Sequence, residues 1–175
     1  DPARRKGPFV GDEPHPEKSL LFLYLNTSKQ SVTLDLKTAT GRGILERLVQ
    51  DADVVVENFS PRVLPGLGLG YDDLKRLNPR LVMVSLSNFG QTGPYRDYLA
   101  TDIVEYALGG LMYIFGLNER VPLKHALNQA QYKAGANAAS GAAIAAFHQQ
   151  LTGQGQWVDV SIQESVASAL RDTAS

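Results

Sequence analysis

The chain has 175 residues, 43% hydrophobic and 20% charged, an ordinary globular composition with enough length for one real core. A net charge of -1 excludes the broad basic surface that nucleic-acid binding needs, so an anionic ligand must be met by a few placed cations and backbone N–H groups. The absence of cysteine excludes disulfides, thiolate nucleophiles and Cys-based zinc sites, and it fits the reducing cytoplasm, where we expect the protein to work.

His15, His125 and His148 are scattered without metal-ligand spacing, so no metal is expected. No apolar run approaches the ~20 residues that span a bilayer, and no signal peptide is visible, so no membrane partner is expected. The chain begins at Asp1 without Met and stops at Ser175 just after an apparent helix, so we read it as part of a longer protein.

Residues 1–18 hold Pro2, Pro8, Pro14 and Pro16 among mixed charges, which predicts an extended connector. Ser19 to Leu25 is apolar and fits a strand or a short helix. Val32-Thr33-Leu34-Asp35-Leu36 alternates in polarity and reads as a half-buried strand. Thr38 or Thr40 can cap a helix running to about Gln50, with Ile44, Leu45, Leu48 and Val49 on one face.

Asp53-Val54-Val55-Val56-Glu57 and Leu81-Val82-Met83-Val84-Ser85-Leu86 read as buried strands, separated by a Pro- and Gly-rich loop from Ser60 to Gly70 and a short helix from Asp72 to Leu77. Strand, helix, strand at this spacing predicts a parallel crossover in an α/β sheet, whose ligands sit at the carboxyl ends of the strands. Asn58-Phe59-Ser60 and the loop from Ser87 to Pro94 are therefore the first places to look for a site. Thr101 to Phe115 predicts a helix with Asp102 in its first turn, and Gly109-Gly110 inside it predicts close packing.

From Ala134 to Ala146 every residue except Asn137 and Ile144 is Ala, Gly or Ser. So little side-chain bulk predicts a long buried helix with something close against its backbone, entered near Asn128 and stopped by Thr152-Gly153. Its start offers free N–H groups and a partial positive charge, which suit an anion or an activated carboxylate. Trp157-Val158-Asp159-Val160-Ser161 reads as a strand, and Ser161 with Glu164 has the spacing of a capping box opening a last helix.

Several segments together resemble one family. They are the run from Val32 to Lys37, Ala52 to Phe59, Leu77 to Val82, Gly90 to Tyr95, and Thr152 to Ser161. The ordered set resembles the family III CoA-transferases, the group of formyl-CoA transferase, carnitine CoA-transferase and α-methylacyl-CoA racemase. The resemblance implies an α/β fold, a Rossmann-like large domain with a parallel sheet, in which residues 19–175 form part of that domain and its first strand-helix unit and the small domain are missing. It implies interlocked dimers, coenzyme A bound at the carboxyl edge of the sheet, and acyl-CoA with a carboxylic acid acceptor as the partners in the reaction.

Carried over by position, Leu34, Asp35, Leu36 and Lys37 border the adenosine end of CoA. Asn58, Phe59 and Ser60 follow its nucleotide and pantetheine parts. Leu99, Ala100, Thr101 and Asp102 line the acyl end. The residue types suit the ligand: Lys37 can meet a phosphate, Phe59 can pack on an apolar arm, and Asn58 can pair with an amide or base edge. Gly66 stands where family members can carry an arginine for CoA, and Arg62 is a candidate substitute.

The family's transfer runs through one aspartate that attacks the acyl-CoA carbonyl and later carries CoA as a thioester. The family pattern places Gly four residues after that Asp; counting back from Gly153 the position falls on Gln131, and Gly135 follows it. A carboxamide does not form the anhydride. The racemase branch needs His at Thr101 and the same Asp, so racemase chemistry is not expected.

Each signal also has a plainer structural reading. Gln131 and Asn128 have capping-box spacing, Asp102 suits a helix dipole, Lys37 can be a solvated lysine, and Glu164 can be a cap. The expectation is a CoA-transferase half or subunit that pairs, as a homo- or heterodimer, with a catalytic family member. The alternatives are a non-catalytic acyl-CoA binding or structural subunit, and an active transferase using another carboxylate.

Overall fold

The computed structural model describes residues 1–170. The chain divides into two compact units, Asp1–Leu34 and the stretch from Asp35 onward. In the first, the segment expected as an extended connector carries two short 3-10 turns, Pro2–Arg5 and Val10–Asp12, and the apolar stretch after it is a helix, α1 (Leu20–Leu25). The expected boundary after residue 18 thus falls inside this unit, because buried Ser19 ties its parts together. Its hydroxyl caps α1 at Phe22 N (3.3 Å) and lies 2.9 and 2.6 Å from the Ala3 and Lys6 carbonyls.

The alternating run from Val32 to Leu36 is not a strand. No described strand pairs with it, and Asp35 turns the chain instead, its side chain accepting from Lys37 N at 3.0 Å and its carbonyl from Thr38 N at 3.1 Å. Thr38 then caps α2 (Ala39–Gln50) through Gly41 N, as its position predicts. Val49 is buried, whereas Leu48 is exposed, so the apolar face is narrower than its pattern suggests.

The second unit is an α/β arrangement around a parallel sheet. The elements follow as β1 (Val54–Glu57), α3 (Val63–Gly66), α4 (Tyr71–Leu77), β2 (Val82–Ser87), α5 (Asp102–Leu108), α6 (Leu111–Ile114), α7 (Gln129–Thr152), β3 (Trp157–Ser161) and α8 (Ile162–Ala167). The sheet order is β1-β2-β3, with Val54 opposite Val82 and Val84 opposite Val158. Alternation along β2 feeds two cores. Met83 joins Val49, Leu64, Leu69, Leu74 and Leu81 on one face, while Val82 and Val84 join Ala138 and Ala145 of α7 on the other.

α7 is buried on one side only. Ala130, Ala134, Ala138, Ala145 and Gln149 face inward, but Ile144, Phe147 and Leu151 are exposed. It ends as expected, at Gly153 with φ 73°. The helix expected from Thr101 to Phe115 breaks into α5 and α6 at Gly109-Gly110, where a Cβ on Gly109 would lie 2.3 Å from Val166 of α8. That close approach is the packing the glycine pair predicts.

Candidate functional site

A cavity of about 530 Å³ opens at the carboxyl ends of β1 and β2. Asn58, Phe59 and Ser60 line it from the loop after β1, Ser87 and Asn88 from the end of β2, Tyr98 and Leu99 from the following loop, and Gln131 from the first turn of α7. The Glu57 carboxylate shapes the first of these loops by accepting from Phe59 N at 2.8 Å. Ser87 Oγ is buried without a hydrogen-bond partner. The two regions flagged by the strand-end rule therefore meet here, together with Gln131.

Other expected residues stand elsewhere. Ala100, Thr101 and Asp102 do not line this cavity, and neither do Leu34, Asp35, Leu36 or Lys37. Ala100 presents its N–H to the Asn88 side chain, and Thr101 precedes α5 without a side-chain cap bond. Asp102 is buried and turned to the start of α7, where its Oδ1 accepts from Ala130 N at 3.0 Å and its Oδ2 from Lys124 Nζ at 2.6 Å. Asn128 makes no side-chain cap bond, so the capping box expected at Asn128 and Gln131 is replaced by this cap from another helix. Glu164 N is capped by Ser161 Oγ at 3.2 Å, and its side chain lies outside the cavity.

One carboxylate does line the cavity, Asp97. Arg62 clasps it with two hydrogen bonds, Nε to Oδ1 at 2.8 Å and Nη2 to Oδ2 at 2.5 Å, and Arg96 Nε lies 3.6 Å away. The bond from Arg62, followed by the positive charges of Arg62 and Arg96, holds the Asp97 carboxyl below its ordinary range. Arg62 also borders a second cavity of about 550 Å³, beside the stacked rings of Tyr71 and Trp157, whose centroids are 5.8 Å apart.

Against the Asn88 side chain lies a carboxyl that sequence reading missed. Glu105 has no solvent exposure. In the orientation that satisfies both ends of the Asn88 amide, its NH₂ donates to Glu105 Oε1 at 2.9 Å and its carbonyl accepts from Ala100 N at 2.9 Å. No bond of ordinary geometry reaches Oε2. Burial, then the negative charge of Asp102, pushes the Glu105 carboxyl up to about 7, with the Gln131 side chain pulling it partly back. The available signal was an acid in the apolar run Ile103-Val104-Glu105-Tyr106-Ala107-Leu108.

The fold and the strand-end cavity define an α/β protein with an open pocket at the edge of a parallel sheet. The chain belongs to CoA-transferase family III, whose sequence profile it matches over residues 1–174. It is 42% identical to the succinyl-CoA:(R)-benzylsuccinate CoA-transferase subunit BbsE of Thauera aromatica over 99% of this chain and 42% of that one. It is 37% identical to the succinyl-CoA–L-malate CoA-transferase beta subunit of Chloroflexus aurantiacus, over 85% of this chain and 37% of that one. Among solved structures it resembles a CAIB/BAIF family protein from Brucella suis, with a TM-score of 0.90 and 33% identity over 99% of this chain and 46% of that one. The chain thus spans less than half the length of these relatives.

Proposed function

We propose that this chain is part of a CoA-transferase acting on acyl-CoA thioesters, in the subunit or half that lacks the nucleophilic carboxylate. A paired family member supplies that carboxylate, within a dimer working in the cytoplasm. This chain supplies fold and a CoA-facing cavity. The observation that supports the reading is the lining of that cavity: Gln131, to which the family register carries the attacking aspartate, presents an amide, and the lining carboxylate, Asp97, is clasped by Arg62. An amide nitrogen, its lone pair delocalised, does not attack a thioester, and a carboxylate already bonded twice to a guanidinium is a blunted nucleophile. Gln131 can still donate to and accept from a bound thioester or its amide arm.

Both curated relatives described above are named as subunits, which supports a divided enzyme. Both are also named for succinyl-CoA, and a donor whose acyl group carries a second carboxylate is the class we assign. In the cavity, Asn58 and Ser60 offer polar groups to the pantetheine arm, and Phe59 offers it a ring.

The test is covalent trapping. The whole protein with its co-purified partner is incubated with succinyl-CoA, then treated with hydroxylamine or borohydride, and each chain is weighed by mass spectrometry. The adduct is expected on the partner alone. An adduct on this chain would overturn the reading.

A further inference from the structure

The cavity lined by Gln131 carries more positive charge than negative. Among the described residues that line it, three are charged: Arg62, Arg96 and Asp97. Arg62 and Asp97 close on each other through two hydrogen bonds, at 2.8 and 2.5 Å, and cancel. Arg96 is the surplus. Its Nε stands 3.6 Å from Asp97 Oδ2, beyond hydrogen-bond reach, and its Nη1 makes one long bond, 3.4 Å, to the Gln91 carbonyl. The side chain is 38% exposed, so part of its planar fork of N–H groups is open to a partner from solution.

Given an acyl-CoA in this cavity, as proposed above, we infer that Arg96 receives the remote carboxylate of the acyl group and so selects a dicarboxylic donor over a plain one. Charge, shape and place agree. One unbalanced guanidinium suits one carboxylate, and its fork takes the two oxygens side by side. The phosphates of CoA together carry several negative charges and call for more than one half-engaged arginine. Leu86, Leu99 and Ile162 line the same cavity and suit the methylenes between thioester and carboxylate.

Asp97 standing alone would repel an incoming carboxylate. Its bonds to Arg62 offset that charge, so the two act as a neutral unit beside Arg96. Nearby acids are engaged elsewhere: the Glu57 carboxylate accepts from Phe59 N, and Asp102 is held by Lys124 and Ala130 N.

The probes are two thioethers of CoA, one carrying a carboxypropyl group and one a butyl group, alike except that a carboxylate stands where the other has a methyl. Neither has a thioester carbonyl to attack, so binding is read without turnover. Affinities are measured by calorimetry on the full-length protein with its partner, for wild type and Arg96→Gln. The ratio in favour of the carboxypropyl ligand is expected to be about tenfold in wild type, the size of one charge-assisted pair, and about one in Arg96→Gln. CoA is common to both ligands, so its phosphates drop out of the ratio. In wild type the ratio is also expected to shrink as salt rises from about 0.05 M to about 0.5 M, because the pair is part-exposed; this arm needs no variant. A wild-type ratio near one would overturn the assignment. So would a ratio unchanged in Arg96→Gln, the result if Arg96 met a phosphate, or, if that variant does not fold, a ratio that ignores salt. Each of these leaves the acyl-CoA reading intact, whereas binding of neither thioether would overturn both.

Discussion

At Glu105, a carboxyl with no solvent contact keeps its proton to about 7 against an ordinary value of 4.5, first through burial and then through Asp102. The native state therefore holds this proton more tightly than the unfolded chain does. Its contribution to stability is fully present below about 4.5 and is lost as pH rises toward about 7. Glu105→Gln removes that dependence. Comparing urea midpoints of wild type and variant, the wild type is expected to lose ground steadily between those two pH values and run parallel above them. A constant difference throughout would mean that the carboxyl titrates as it would in water.

Among the elements, α7 depends on a residue from outside itself. Asp102 caps its first turn at Ala130 N and holds Lys124, whose ammonium also reaches the His125 and Leu127 carbonyls at 3.0 and 2.5 Å. Removing a cap of this kind costs about 1 kcal/mol, and stranding a half-buried cation adds to it. Asp102→Ala is therefore expected to lower the unfolding free energy by about 2 kcal/mol or more. Asp102→Asn keeps an acceptor for Ala130 N and should cost less. Denaturant titration of the two variants checks the order, and a milder effect from Ala would show that Asp102 is not the cap.

The strands and the ends of α2 and α7 were legible because each rests on local signals: β-branched runs, a capping threonine, a terminal glycine. The glycine pair at 109–110 signalled close packing, but one continuous helix was expected where α5 and α6 stand. The run from Val32 to Leu36 misled because alternation marks a strand only where another strand lies alongside. The Asn128 cap misled for a related reason. Local spacing proposes a partner, but an acid 28 residues away in sequence bonds Ala130 N. At the site, strand-end position and family register brought Asn58, Phe59, Ser60, Leu99 and Gln131 to one cavity. Glu105 was marked only by the apolar run around it, Ile103 to Leu108, a signal that fits a half-exposed helix as well as a buried one. Lys37, expected at the adenosine end of CoA, does not line this cavity and sits in the turn that replaces the expected strand.

For the molecule as a whole, the sheet order leaves β1 and β3 each with one flank unpaired among the described residues, and exposed Val56 and Trp157 lie on those strands. A row of bare peptide groups beside apolar side chains adheres to any strand that offers itself. This chain should therefore self-associate as concentration rises, seen as growing scattered intensity. Scattering that stays flat would refute this. The practical lesson concerns bench work: a titration on a self-associating sample would measure stickiness, so ligand affinity has to be read below the concentration at which scattering grows.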